Sequence, residues 1–148
     1  MTDAATPAKT PWHLWVVGVI SLLWNSIGAL DFTMTQLRNE AYLQAFTDAQ
    51  KAYFFNIPLW AVLTWGIATW GSLVGSGFLL ARRKFAVQLY LVSTICMVIT
   101  TVYSYGLSDG LKVMPSAAGA LIFSGVIFVV SVGEWVYSRA MAGRGVLR

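Results

Sequence analysis

The fold is decided by two apolar runs, IPLWAVLTWGIATWGSLVGSGFLLA (57–81) and FAVQLYLVSTICMVITTVYSYG (85–106), joined only by Arg82, Arg83 and Lys84. A helix of about 20 apolar residues crosses the hydrocarbon core of a bilayer. Neither run alternates between apolar and polar residues as a barrel strand does. The stretch therefore predicts two transmembrane helices that form a tight antiparallel hairpin.

Two further apolar runs of similar kind cover residues 12–30 and 117–137. The 148-residue chain is 57% apolar and 11% charged, with a mean hydropathy of +0.67, whereas ordinary globular chains carry about 25% charged residues. The composition excludes a soluble domain and predicts an all-α integral membrane four-helix bundle. We expect one transmembrane domain at 11–140, a disordered tail at 1–10 and a second tail at 141–148.

The connection between the first two spans, residues 31–56, is too long for a simple turn. Its apolar side chains recur at helical spacing and form one stripe: Tyr42, Phe46, Ala49 and Tyr53. Thr47 followed by Gln50 has the spacing of a capping box, which predicts the start of a second short helix. We expect an amphipathic helical segment on the membrane surface or over the end of the bundle.

The distribution of Lys and Arg predicts the orientation. Seven cations lie in the two termini and the short hairpin: Lys9, Arg82, Arg83, Lys84, Arg139, Arg144 and Arg148. Three lie in the two opposite connections: Arg38, Lys51 and Lys112. The positive-inside rule therefore places both termini in the cytoplasm and residues 31–56 outside. The net charge of +4 is a topology signal, and we expect no nucleic-acid partner.

A cleaved signal peptide is the alternative for the first span, since Ser26 and Gly28 resemble a small-residue cleavage site. The single Lys9 ahead of the span, and the Trp and Asn residues within it, favour a retained helix.

Small and polar residues mark helix-packing faces within a membrane. Each span carries such residues at helical spacing, and we expect a packing role for Gly18, Ser21, Asn25, Gly28, Gly71, Gly75, Ser124 and Ser131. Asn25 has a second interpretation, because its amide side chain can also bind a solute in a central cavity.

Glu134 is the one carboxylate placed inside a predicted span. It is expected near the cytoplasmic interface, at the depth of His13, Arg82 and Arg83, so a structural ion pair with one of these cations is the first interpretation. The second interpretation is a proton- or ion-coupling group, because intramembrane ionisable residues mark transport pathways.

The contents of one cysteine and one histidine exclude a disulfide framework, a multi-cysteine metal site and a bis-histidine haem. No nucleophile–base constellation is visible either, so we expect neither enzymatic activity nor a cofactor. Of the seven tryptophans, Trp24, Trp65 and Trp70 lie deeper than the interfacial belts, where contact with lipid, pigment or protein is possible.

The segments PWHLWVVG (11–18), LWN (23–25), DFTMT (31–35) and RNEAYL (38–43) resemble small four-span inner-membrane proteins of Gram-negative bacteria, some of which are labelled sugar transporters. The resemblance extends through about residue 71 and implies an inner-membrane location.

Two functional interpretations remain open at this point. The first is a non-enzymatic accessory or interaction subunit that packs against itself or a larger membrane complex, because most of its polar residues are small. The alternative is a small-solute, sugar-like transporter that works as an oligomer, with Asn25 and Glu134 in its pathway. The partners we expect are the lipid bilayer and other membrane subunits or a second copy.

Overall fold

The computed structural model describes residues 9–148, and it is all-α. Four helices are long and apolar enough to span a membrane, which confirms the predicted fold class and makes the chain an integral membrane protein. These helices are α1 (Trp12–Gln36), α4 (Leu59–Leu80), α5 (Phe85–Val102) and α7 (Ala117–Gly143). The tail predicted at 1–10 lies mostly outside the described residues.

Three short helices lie in the connections: α2 (Glu40–Leu43), α3 (Asp48–Phe55) and α6 (Gly110–Val113). A π-helical turn, Tyr103–Leu107, extends α5. Thr47 begins α3 with a complete capping box, in which its hydroxyl accepts from Gln50 N and the Gln50 side chain accepts from Thr47 N. The predicted stripe from Tyr42 to Tyr53 is therefore divided between two helices, because a capping box starts a new helix.

The bundle has two ends, which we name by what lies there. The terminal end contains the start of α1, the end of α7 and the α4–α5 turn. The capped end is covered by residues 37–58, which include α2 and α3. The α4–α5 turn is tight, as predicted, and Arg82 there has a φ of 58°.

The long helices follow one another around the bundle. α4 packs along both α1 and α5, and α5 packs along α7. Close approach is possible because Gly71 and Gly75 of α4 lie against α5, where a Cβ on Gly75 would meet Leu89 and Tyr90 at 3.4 Å. α1 and α7 complete the ring through side-chain contacts, without an extensive backbone interface.

The apolar core lies at the terminal end, where Leu14, Leu79, Tyr90 and Met141 are buried together. The tail expected at 141–148 is instead part of the fold: α7 continues to Gly143, and residues 144–148 turn back under the bundle and bury Val146 and Leu147 in this core. Arg148 N donates to Arg82 O at 2.7 Å, and Lys84 N donates to Arg148 O at 2.9 Å. The segment thereby satisfies backbone groups of the α4–α5 turn.

Two of the long helices extend well beyond the apolar runs that predicted them. α1 continues from residue 30 to Gln36, and α7 continues from residue 137 to Gly143. The extensions carry polar residues that are buried within the protein, Thr35 of α1 and Ser138 of α7. A span defined by hydropathy ends earlier than a helix defined by backbone hydrogen bonds.

Candidate functional site

A cavity of about 590 Å³ occupies the capped half of the bundle. All four long helices contribute to its wall. Residues 37–58, which we call the cover, close its end and contribute lining side chains from α2 and α3. Its volume falls within the range of small-molecule sites, about 300–1,000 Å³. It is the candidate functional site of the part of the chain described here.

Two tyrosine hydroxyls of the cover form hydrogen bonds with the rest of the bundle, one with α1 and one with the connection that follows α5. Tyr42 of α2 donates to Asp31 Oδ1 of α1, and Tyr53 Oη of α3 lies 2.9 Å from Ser108 Oγ. The Phe54 ring lies 5.8 Å from the Trp65 ring of α4. These contacts hold the short helices over the end of the bundle, rather than free on a membrane surface.

Tyr42 lies outside the membrane-spanning helices, and its environment favours the neutral phenol. Burial, together with the hydrogen bond to the Asp31 carboxylate and the charge of that carboxylate, raises the pKa of Tyr42 to about 12. The hydroxyl is therefore a stable hydrogen-bond donor at all physiological pH values.

The floor of the cavity is a buried polar network centred on Asn25 of α1. Its Nδ2 donates to Ser76 Oγ of α4 at 3.0 Å and to Glu134 Oε1 of α7 at 2.9 Å, and it lies 3.4 Å from Ser72 O. Tyr90 of α5 donates to the same Ser76 hydroxyl at 3.0 Å. Asn25 therefore bonds directly to α4 and α7, and Ser76 links it to α5.

Glu134 lies directly beneath this floor and is 5% exposed. Its Oε1 accepts from Asn25, whereas its Oε2 is buried with no hydrogen-bond partner in the described part of the chain. Salt bridges within residues 9–148 join Lys51 to Asp48 and Lys112 to Asp109. Glu134 therefore has an amide partner where an ion pair was expected.

The cations expected beside Glu134 have other partners. His13 Nδ1 lies 2.6 Å from the Tyr137 hydroxyl, and Arg82 Nε donates to Val146 O at 3.4 Å. Arg83 belongs to the exposed α4–α5 turn. These three residues lie at the terminal end, and α7 continues nine residues past Glu134 to Gly143, so Glu134 lies deeper in the bundle than the sequence suggested.

The mouth of the cavity lies between α1 and α7. Ile27 of α1 and Phe123 of α7 both line the cavity, yet they are 66% and 60% exposed. These two helices also lack the extensive interface that the other neighbouring helices share. The cavity thus opens sideways, toward the region that lipid occupies around a membrane-spanning bundle.

The eight residues expected at packing faces divide into two groups. Gly18, Gly71 and Gly75 lie at close helix contacts, where an added Cβ would meet side chains of a neighbouring helix, and Ser21 is buried. The remaining four line the cavity: Asn25, Gly28, Ser124 and Ser131. Small residues leave room either for a helix or for a ligand, and their spacing does not distinguish the two cases.

Two of the three deep tryptophans contribute to the cavity wall. Trp24 and Trp65 line it, and Trp65 makes an edge-to-face contact with Phe32 at 5.0 Å between ring centroids. Trp70 instead lies at the surface, and its Nε1 donates to Thr33 Oγ1 at 3.2 Å. Sequence reasoning missed the site role of Asp31 and Tyr42; the signals were a carboxylate at the end of an apolar run and the position of Tyr42 in the apolar stripe of the connection.

Comparisons with protein families, with characterised proteins and with solved structures find no match for this chain. In the described part of the chain, no group of three or more His, Cys, Asp or Glu side chains is arranged to hold a metal ion. The functional argument therefore depends on the cavity itself.

Proposed function

We propose that the protein binds a small solute in the cavity and functions as a small membrane transporter or solute receptor. The proposal rests on one observation: all four long helices and the cover line a single cavity. The floor of this cavity is the buried polar network around Asn25. Convergent polar groups in an otherwise apolar pocket are typical of a small-molecule site.

The positions of Asn25 and Glu134 support a coupling role for the floor. Asn25 lines the cavity and hydrogen-bonds to Glu134, so a ligand that competes for the Asn25 amide changes the surroundings of a buried carboxylate. Below them the apolar core around Leu14 and Leu79 closes the route to the terminal end. Transport therefore requires a second conformation in which this core opens.

The cation distribution supports an orientation with both termini in the cytoplasm and the capped end outside. In a bacterial inner membrane, the site then receives its solute from the outer leaflet or the external medium. In this orientation, residues 37–58 cover the external end of the bundle.

Cysteine accessibility tests the proposal. In a Cys96→Ala background, Thr69→Cys places a thiol on the cavity wall. Ile95→Cys places one on the half-exposed outer surface of α5, at similar depth, because Ser93 of α5 donates to Ile67 O of α4.

A water-soluble thiosulfonate should label Thr69→Cys and spare Ile95→Cys in nanodiscs, because only a hydrated thiol ionises and reacts. In sealed vesicles, labelling of Thr69→Cys from both faces supports a transporter, and labelling from one face alone supports a receptor. No labelling of Thr69→Cys from either face would contradict a solute-accessible cavity.

A second candidate function, an accessory subunit of a membrane complex or homo-oligomer, is favoured by one specific feature of α7. The consecutive residues Leu121, Ile122 and Phe123 are each at least half exposed, although they point about 100° apart on a helix. The capped half of α7 thus has free surface on several sides for another membrane helix. Native mass measurement of gently solubilised protein tests this: co-migration with a larger assembly supports the subunit, and a lone monomer contradicts it.

A further inference from the structure

The cavity wall carries negative charge without positive charge. Asp31 is the one carboxylate among the lining residues of the described part of the chain. Within residues 9–148, no Lys, Arg or His side chain lines the cavity. The electrostatic environment therefore disfavours an anion and favours a cation.

Neighbouring lysines do not compensate this charge. Lys51 lies 3.8 Å from Asp48, and Lys112 lies 2.6 Å from Asp109, so each forms a pair with a carboxylate of its own helical turn. The hydrogen bond from Tyr42 to Asp31 involves Oδ1 and leaves the carboxylate charge in place. A ligand with one positive charge is thus the complement of the site.

The remaining surface of the wall is rich in aromatic rings. Nine aromatic side chains line the cavity, with Trp24 and Phe123 near the mouth, Tyr42 and Phe54 in the cover and Trp65 on the opposite wall. Ring faces attract organic cations in desolvated surroundings, and the same rings pack against apolar groups. This lining fits a cation with an apolar body.

The two amides and the carboxylate that line the cavity are already engaged within the protein, and its other polar lining groups are mainly hydroxyls. Asn25 Nδ2 donates to Ser76 and Glu134, the Gln50 side chain forms the capping box with Thr47, and Asp31 accepts from Tyr42. The sideways mouth between Ile27 and Phe123 also admits molecules that dissolve in lipid. This access favours an apolar solute over a polyhydroxylated one.

Building on the proposed solute-binding function, we infer that the cavity selects lipophilic organic cations, which combine an aromatic or alkyl body with a single positive charge. Asp31 supplies the charge attraction, the aromatic wall holds the body, and the mouth provides access from the membrane. Exclusion of anions follows from the carboxylate of Asp31 and from the absence of cationic lining residues in the described part of the chain.

Three ligands of nearly equal shape test the charge preference: benzyltrimethylammonium, its uncharged carbon isostere neopentylbenzene, and the anion phenylmethanesulfonate. Each is titrated against the full chain in nanodiscs, and its affinity is read from the concentration dependence of the unfolding temperature. Ala68→Phe places a large side chain in the cavity from the α4 wall. Any stabilisation by a ligand that remains in this variant therefore comes from ligand dissolved in the lipid.

We expect the cation to stabilise the parent protein at the lowest concentration, the neutral isostere to act more weakly and the anion to have no effect. All effects should vanish in Ala68→Phe. Asp31→Asn keeps an oxygen that accepts from Tyr42 and should weaken cation binding about tenfold, with neopentylbenzene unchanged.

The alternative outcomes separate the two proposals. If the neutral isostere or the anion binds as well as the cation and Ala68→Phe abolishes that binding, the charge inference is overturned and the solute-binding function stands. If each of the three ligands stabilises the parent no more than it stabilises Ala68→Phe, the charge inference is overturned. If Thr69→Cys in addition fails to label, the solute-binding function is overturned as well.

Discussion

Asn25 of α1 and Glu134 of α7 are 109 positions apart in the sequence and 2.9 Å apart in the fold, joined by a hydrogen bond from Nδ2 to Oε1. Both side chains are more than nine-tenths buried. A polar group in such surroundings is costly unless it is hydrogen-bonded. The pair therefore serves two purposes: it forms the cavity floor, and it connects two helices that share little other interface.

This pair makes a prediction about stability. Glu134→Gln retains an oxygen that accepts from Asn25 and should leave the unfolding temperature in detergent nearly unchanged. Asn25→Leu has similar volume but removes the hydrogen bond that Glu134 Oε1 accepts from Asn25, which should cost about 1–3 kcal/mol. The double variant Asn25→Leu/Glu134→Leu should lose less than the sum of the single losses, because no buried acceptor remains. Additive losses would mean that the hydrogen bond contributes nothing.

The close approach of α4 and α5 makes a second prediction. A leucine at Gly75 must displace Leu89 or Tyr90, whose atoms lie 3.4 Å from the position of an added Cβ. Such overpacking costs about 1–3 kcal/mol. Gly77→Leu, two residues along the same helix, is the matched control, because nothing lies within 4 Å of its added Cβ. Equal unfolding temperatures for the two variants would contradict this packing.

The buried segment at the terminal end makes a third prediction. Leu147 is fully buried in the core, so Leu147→Ala should lower stability by about 2–5 kcal/mol, the usual cost of removing a buried leucine side chain. Leu37→Ala removes the same atoms from a side chain that is 72% exposed and should have little effect. Unfolding in mixed micelles measures both, and a stable Leu147→Ala would mean that the segment does not dock.

The predicted orientation can be tested without knowledge of the ligand. In the Cys96→Ala background, Gln44→Cys lies at the capped end and Gly143→Cys at the terminal end, both at exposed positions. An impermeant thiol reagent added to intact cells should label Gln44→Cys alone. Labelling of Gly143→Cys alone would reverse the orientation, and labelling of both would contradict a fixed one.

The cover makes a prediction about pH. An unfolded tyrosine ionises near pH 10, whereas burial and Asp31 raise the pKa of Tyr42 to about 12. The neutral phenol is favoured in the folded state, so this contribution to stability is complete below pH 10 and is lost as the pH rises toward and through 12. The phenolate absorbance of the parent minus that of Tyr42→Phe should titrate near pH 12. A difference titration near pH 10 would show that the contact with Asp31 is absent.

Local sequence signals predicted the spans and the start of α3. Hydropathy located the four long helices because each carries an apolar run of bilayer length, and the Thr47–Gln50 pair located the start of α3 because a capping box is complete within four residues. Helix ends were less predictable. α1 passes through Asp31 without a break and ends at Gln36, and the Asp31 carboxylate accepts from Tyr42 of α2.

The site was less predictable than the fold, since it depends on contacts between distant residues. Glu134 was expected to pair with a cation at the same depth, but its partner is Asn25, and no periodicity relates residues on different helices. Likewise, Gly28 and Ser124 have the same spacing pattern as packing residues, yet they line a cavity. Only the arrangement of all four helices determines whether a small residue meets a helix or empty space.

The incomplete contact between α1 and α7 has a mechanical consequence. Three of the four helix neighbours share long interfaces, whereas the fourth pair is joined at the terminal end by His13–Tyr137 and at mid-depth by Asn25–Glu134. Such a bundle is a split ring with α4 and α5 opposite the gap. At the terminal end this pair also shares the core of Leu14 and Met141, whereas in the capped half neither the core nor these hydrogen bonds, about 0.5–1.5 kcal/mol each, join the two helices. We therefore expect a bulky guest to widen the ring in the capped half, by displacement of α7 from α1, while the hairpin of α4 and α5 keeps its shape.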